Sequence, residues 1–505
     1  MFAEMLSRIL VRTLMAVSWL KRSKEPATSR EHSRARSLLQ QWSAADSASA
    51  WSPHLFGSRI FARGGISTTS DGLLSCCLLL LIGVGPAQAV PEIQQWTTSR
   101  GSKVFFARTE GLPLVDIRVL FDAGSARDGQ QYGLATLTSG VLDSGAGDWD
   151  ADAIAKRLEG VGAVLGTGAS RDSASLSLRS LTKPELLKTA LETTREILLH
   201  PRFDQTDFER EKKRTLLAIK QREEAPDELA GILFFETLYG DHPYAHPKEG
   251  NRDTVEKLSR EDLVTFFRRY YVAKNAMIVI VGEVDRRQAE SVAEQLLGEL
   301  PEGEPALPLP TVSRDASPKK VRKSFPSEQT HVLAGEVGMR MNDPDYFPLY
   351  VGNHILGGSG FASRVVQEIR EKRGLSYSAY SYFFPFRESG PFLMGLQTRN
   401  DQTDQALGVL QQTLREFIDK GPTDAELQAA KKNITGGFVL RLDSNQKLLE
   451  QISSIGFYGL PPDWLNNFIP RVEAVTKDDI RRLFRARIDP GGLQTIIVGA
   501  AQHEQ

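Results

Sequence analysis

His242 and His246 form an H-x-x-x-H pair. On a helix, that spacing would put two imidazoles on one face, where they could share a metal ion. Pro243 and Pro247 work against a helix there, so the segment is expected to be a turn whose rings pack or face solvent. Gly357-Gly358-Ser359-Gly360 has the glycine density of a phosphate cradle. It lacks the Lys-Ser/Thr ending and a preceding buried strand, and reads as a flexible turn between helices. Cys76 and Cys77 are the only two cysteines, adjacent in an apolar N-terminal run, which leaves the rest of the chain without a disulfide or a thiolate metal site. Arg370 and Tyr377 bring a guanidinium and a phenol. By residue type alone, Arg370 is one of several charges on a solvated helix (Glu368, Glu371, Lys372, Arg373) and Tyr377 a strand aromatic.

Those residues need a scaffold, and 505 residues exceed one ordinary core, so two or more domains are expected. Hydrophobic content of 41% and charged content of 25% fit a soluble globular chain. A net charge of -1 gives no basic footprint, which argues against nucleic acid as a partner. Leu73 to Val84 is a short apolar run with Arg59 and Arg63 upstream and Pro86-Ala87-Gln88-Ala89 after it. These are the parts of a secretory signal, with cleavage expected after Ala89 and the periplasm as the destination. The run is shorter than the roughly 20 residues that span a bilayer, so a membrane is a partner only if the segment stays uncleaved as an anchor. Residues 1–58, rich in Arg and Ser, fit a translation start further downstream better than a genuine extension with an uncleaved anchor.

An internal repeat sets the architecture. Val255-Glu256-Lys257-Leu258-Ser259-Arg260-Glu261-Asp262 recurs as Val472-Glu473-Ala474-Val475-Thr476-Lys477-Asp478-Asp479, 217 residues on. The same offset relates Phe267-Arg268 to Phe484-Arg485, Ile280-Val281-Gly282 to Ile497-Val498-Gly499, and Thr206-Asp207-x-Glu209 to Thr423-Asp424-x-Glu426. Each half reads as one series. A strand comes first (Val115–Phe121; Val332–Val337), then helical patterns and a second strand (Ala174–Leu178; Tyr377–Phe383). Long amphipathic helices follow (Pro184–Leu199 and Thr206–Arg222; Asp404–Ile418 and Thr423–Phe438), and a last strand closes the half (Met277–Val281; Gln494–Val498). That order implies an α+β fold, a helical layer on a mostly antiparallel sheet in each half. The expected division is a leader over 1–89, a first domain over 90–300, a linker over 301–318 with five prolines, and a second domain over 319–505.

Several segments resemble the pitrilysin/insulinase and mitochondrial-processing-type zinc peptidases. They are His242-Pro-Tyr-Ala-His-Pro-Lys-Glu-Gly250, Tyr270-Tyr271-Val-Ala-Lys-Asn275 and Ile278-Val-Ile-Val-Gly-Glu-Val-Asp285 in the first half. The second half adds Gly357-Gly-Ser-Gly-Phe-Ala-Ser-Arg364 and Ile369-Arg370-Glu-Lys-Arg-Gly-Leu-Ser-Tyr377. The resemblance covers about residues 92–500 and implies two similar halves closing like a clamshell around a chamber. It also implies an inverted zinc motif, H-x-x-E-H, early in the first half. Here Gly133-Leu134-Ala135 leads into Thr136-Leu137-Thr138-Ser139-Gly140, with Thr136 and Gly140 at the histidine positions and Ser139 at the glutamate. Ala218 stands at or near the position of the third ligand. No metal site and no cofactor are therefore expected in this chain.

What the family supplies from its second half is an Arg and a Tyr seven residues apart that reach toward the zinc-bound substrate, and Arg370 and Tyr377 match that spacing. The resemblance thus implies a division of labour. This chain would supply Arg370 and Tyr377, while a homologous partner subunit would carry H-x-x-E-H and the zinc, and the pair would hydrolyse peptides or unfolded segments. Two other readings stay open, a peptide-holding pseudoenzyme that cleaves nothing and a solo metallopeptidase with unrecognised ligands.

Overall fold

The computed structural model describes residues 90–314 and 317–500, so the expected leader and its cleavage site at Ala89 lie outside the described residues. The first half contains β1 (Gln94–Thr97), β2 (Lys103–Arg108), β3 (Leu114–Phe121), a small hairpin of β4 (Gly145–Ala146) and β5 (Trp149–Asp150), β6 (Val164–Ala169), β7 (Ala174–Leu181) and β8 (Ala276–Gly282). All but β4 and β5 form one six-stranded sheet in the order β1-β2-β8-β3-β7-β6, antiparallel except for the β2–β8 pair. The second half contains β9 (Lys320–Ser324), β10 (Gln329–Val337), β11 (Ala379–Phe383), β12 (Pro391–Arg399) and β13 (Gln494–Gly499). Its sheet runs β11-β12-β10-β13-β9, again with one parallel pair, β13–β9. The expected pair of helix-covered, mostly antiparallel sheets is what the chain folds into.

The repeat is visible in atomic detail. Ser259 caps the helix Arg260–Tyr270 through a capping box with Asp262, and Thr476 caps the helix Lys477–Arg487 through the same box with Asp479. Pro184 opens the helix Pro184–Leu199, where its missing N–H costs nothing.

Strand pairing corrects one correspondence. Ala174–Leu178 reads as the counterpart of Tyr377–Phe383, but β7 pairs with β3 as β12 pairs with β10, so the partner of β7 is Pro391–Arg399. The strand that follows Tyr377 corresponds instead to β6, which was not anticipated. Two physical causes hid these strands. β12 is buried on both faces and shows no polar alternation, and β6 carries Gly166 and Gly168, which weaken its strand signal. Tyr377 itself lies two residues outside β11.

The halves are interlocked rather than merely tethered. The first-half helix Pro226–Tyr239 packs on β10 and β13 of the second half, and the second-half helix Asn445–Tyr458 packs on β3 and β8 of the first. Phe234 is fully buried in a cluster with Leu333, Val337, Leu393, Ile496 and Val498. Reciprocally, Leu448, Leu449, Ile452 and Ile455 share a core with Phe105, Leu120, Met277 and Val279. Each fully buried Leu, Ile or Phe here contributes about 1.5–3 kcal/mol of burial free energy to both halves at once.

Residues 301–314 carry no regular secondary structure, yet they are held at intervals. Asn275 Oδ1 accepts from the Ala306 N–H at 2.9 Å, Arg127 Nη1 donates to the Leu307 carbonyl at 2.6 Å, and Leu309 and Val312 are buried beside Phe234.

Candidate functional site

The helix Leu134–Val141 carries the degenerate motif. Asp128 fixes its start, its carboxylate accepting from the N–H groups of Gly133 and Ala135, both at 2.8 Å. Burial pushes the Asp128 carboxyl well above the usual carboxylate range, with those N–H bonds opposing it. Gly133 has φ 96°, a left-handed value that favours glycine. A Cβ at Gly250 would meet the Tyr132 carbonyl oxygen at 2.2 Å, so the end of the His242–Gly250 segment lies directly on the start of this helix.

The family's zinc does not fit these residues. Thr136 donates its hydroxyl to the Lys248 carbonyl at 2.6 Å. The Ser139 hydroxyl is buried against that of Tyr271, and neither makes a hydrogen bond of good geometry. A Cβ at Gly140 would lie 2.7 Å from the Glu211 carboxylate, which is itself paired with Arg214 at 2.7 Å. Ala218 is exposed on the helix Gln205–Glu223 and offers no donor atom. Among the described residues, no group of three or more His, Cys, Asp and Glu side chains is placed to hold a metal ion.

His242 and His246 occupy a turn, as Pro243 and Pro247 require, and their ring nitrogens have structural tasks. His242 Nδ1 accepts from the Tyr244 N–H at 3.1 Å, which leaves Nε2–H to donate to the Pro310 carbonyl at 2.8 Å. Burial lowers its pKa, favouring this neutral ring. His246 stacks on Tyr132 with ring centroids 4.1 Å apart and directs Nδ1 to the Pro247 carbonyl at 3.0 Å.

Arg370 and Tyr377 come together in the second half. Arg370 lies on a π-helical turn, Gln367–Glu371, that continues the short helix Arg364–Val366. Its guanidinium sits 4.3 Å from the Tyr377 ring centroid and 4.5 Å from that of Phe361. Each cation–π contact is worth about 0.5–1 kcal/mol at an exposed site, and more once a ligand excludes water. Nη1 also donates to the Tyr377 carbonyl at 3.3 Å, and Nε lies 3.5 Å from Glu371. Tyr377 is 76% exposed, far more than a strand aromatic in a core. A cavity of about 260 Å³ beside it is lined by Ser376, Gln397, Arg399 and Gln402. The turn is anchored from behind by Arg364, which binds Glu426 through two bonds of 2.6 and 2.7 Å and the Gly421 carbonyl at 2.9 Å. Burial opposes ionisation of Glu426, but Arg364 and the N–H and hydroxyl of Thr423 hold its pKa down at about 2.

The two motif regions stay in separate halves. The contacts of Arg370 and Tyr377 run to Phe361 and Glu371, those of Thr136 and Gly140 to Lys248 and Glu211. Phe361 was not singled out from the sequence, where it is one aromatic among small residues with no periodic signal. Its position immediately after Gly360 was the available hint.

Residues 103–251 match the family model described as Insulinase (Peptidase family M16), and residues 257–434 match that of the Peptidase M16 inactive domain. The chain is 27% identical over 427 residues to the non-peptidase homolog YmxG of Helicobacter pylori, spanning 83% of this chain and 97% of that one. It is 25% identical over 358 residues to the uncharacterized zinc protease YmxG of Bacillus subtilis, spanning 70% and 86%. Among solved structures, the peptidase M16 inactive domain from Pseudomonas fluorescens superposes with a TM-score of 0.79 at 33% identity, covering 82% of this chain and 99% of that one. A chain of complex III2 from Candida albicans shares the fold, with a TM-score of 0.69 at 16% identity, covering 80% and 95%.

Proposed function

The chain belongs to peptidase family M16, the insulinase family, and from that premise we propose that it is the zinc-free subunit of a two-chain metalloendopeptidase. The observation that carries this reading is the contrast between its two motif regions. No metal-site position of the first half carries a ligand side chain, while in the second half Arg370 is paired with Tyr377, whose ring is largely exposed. The partner would be a homologous chain with an intact H-x-x-E-H, whose zinc supplies the attacking water. Arg370 N–H groups and the Tyr377 hydroxyl would donate to the scissile carbonyl as it becomes an oxyanion. The substrate would be an extended peptide or unfolded segment, its backbone pairing with a free sheet edge. The outer side of β6 ends the six-stranded sheet in this chain and is such an edge.

A second reading is favoured by the likeness to a relative described as a non-peptidase homolog: a subunit that holds peptides and cleaves none. One experiment addresses both. The isolated chain, assayed for metal and for hydrolysis of unstructured peptides, is expected to bind no stoichiometric zinc and to cleave nothing. Purified from its native host, it is expected to bring with it a zinc-bearing homologue and peptidase activity. One zinc per isolated chain would sink the two-chain reading, and a purified complex that binds peptides without cutting them would favour the second.

We also propose that the chain is exported to the periplasm, on the strength of the apolar run ending in Ala87-Gln88-Ala89. N-terminal sequencing of the native protein is expected to begin at Val90, and a cytoplasmic chain beginning at Met1 would contradict this.

A further inference from the structure

The glycine-rich turn has no phosphate-binding lysine, and its geometry suits another task. A Cβ at Gly357 would lie 2.3 Å from both the Ser381 nitrogen and its hydroxyl oxygen, so only glycine lets the turn lie flat on β11. Gly360 has φ +60°, and a Cβ added there would meet nothing within 4 Å, so its requirement is backbone conformation rather than space. Together these two positions reverse the chain and deliver Phe361, 57% exposed, to the Arg370 guanidinium. The bidentate Arg364–Glu426 pair then fixes the far side of the turn.

We propose that Phe361 is the positioning residue of the Arg370–Tyr377 pair, fixing the plane of the guanidinium so that its free N–H groups face the substrate carbonyl edge-on. The inference rests on the two-chain reading. Of the contacts that hold Arg370, those with Glu371 and Tyr377 come from its own segment, and the one with Phe361 comes from the glycine-rich turn. A guanidinium lying over two rings cannot rotate without leaving both, and its in-plane donors are then aimed before substrate arrives. A core role does not account for Phe361, because more than half of its surface is exposed to water.

The test has two arms, with Phe361→Ala and Phe361→Tyr as variants. In the isolated chain, the rate at which phenylglyoxal modifies Arg370 is followed by peptide mass spectrometry, with Arg373 as the internal reference. Phe361→Ala is expected to raise the Arg370 rate several-fold relative to Arg373, and Phe361→Tyr to restore it. In the complex with the co-purified zinc-bearing subunit, Phe361→Ala is expected to lower kcat roughly tenfold with KM little changed, while Phe361→Tyr stays near wild type. An unchanged Arg370 rate in Phe361→Ala overturns the inference. A raised rate with unchanged kcat, in a complex that Tyr377→Phe does slow, also overturns it and leaves the two-chain reading standing. If Tyr377→Phe has no effect either, both fall together.

Discussion

Replacing Tyr377 by phenylalanine is expected to lower peptide hydrolysis by the two-chain complex by a hundredfold or so, with assembly unchanged. The substitution removes one hydroxyl and keeps the ring, so the 4.3 Å contact with Arg370 survives. Because 76% of the residue is exposed, folding of the chain depends little on that hydroxyl. A donor aimed at a developing oxyanion acts mainly in the transition state, so the loss belongs in kcat rather than in KM. Arg370→Ala is the companion variant and is expected to cost at least as much, because it removes a charged donor together with the group that holds Tyr377. The measurement is steady-state hydrolysis of an unstructured peptide, with assembly checked by gel filtration. Wild-type turnover in both variants would leave these residues as surface and move the peptide-holding reading to the front.

The second large effect concerns stability. Asp172→Ala is expected to cost about 2–4 kcal/mol of unfolding free energy. Asp172 lies in the hairpin between β6 and β7, and burial pushes its carboxyl up despite several donors around it. Its Oδ1 accepts from the Tyr244 hydroxyl at 2.5 Å, and its Oδ2 from the Arg387 N–H at 2.9 Å and the Tyr458 hydroxyl at 3.1 Å. Arg387 and Tyr458 belong to the second half, so one buried side chain stitches the halves together. Truncation leaves those donors buried and unmet, and an unmet buried donor costs about 1–3 kcal/mol. Urea unfolding should show the loss as a lower midpoint in a single transition that reports on both halves. A shift worth less than about 1 kcal/mol would mean that water replaces the carboxylate and that the hub is not a lock.

Much of this molecule was legible in its residues, and what was not has identifiable causes. The 217-residue repeat carried the capping boxes at Ser259 and Thr476 because a cap is a local signal, complete within four residues. The departure from H-x-x-E-H was readable because Thr136, Ser139 and Gly140 stand at its positions in the chain itself. The helix Pro226–Tyr239 was missed because its apolar residues surround it instead of forming one stripe, the mark of a helix covered on several sides. That covering comes from the opposite half, which no local pattern records. Phe361 was missed for a related reason: its partner Arg370 lies nine residues away, and only the fold brings the two within 4.5 Å.

The reciprocal helices have a practical consequence for anyone who would take the protein apart. A cut within residues 301–314 gives two fragments of sensible domain size, but neither is a self-sufficient domain. The first would leave β3 and β8 uncovered and present Phe234 to water, and the second would leave β10 and β13 bare in the same way. Such fragments are not independent modules but two complementary pieces of one fold. Expressed together, they have the surfaces to rebuild the whole. Expressed singly, each exposes the sheet face on which a second copy of itself can lay the corresponding helix.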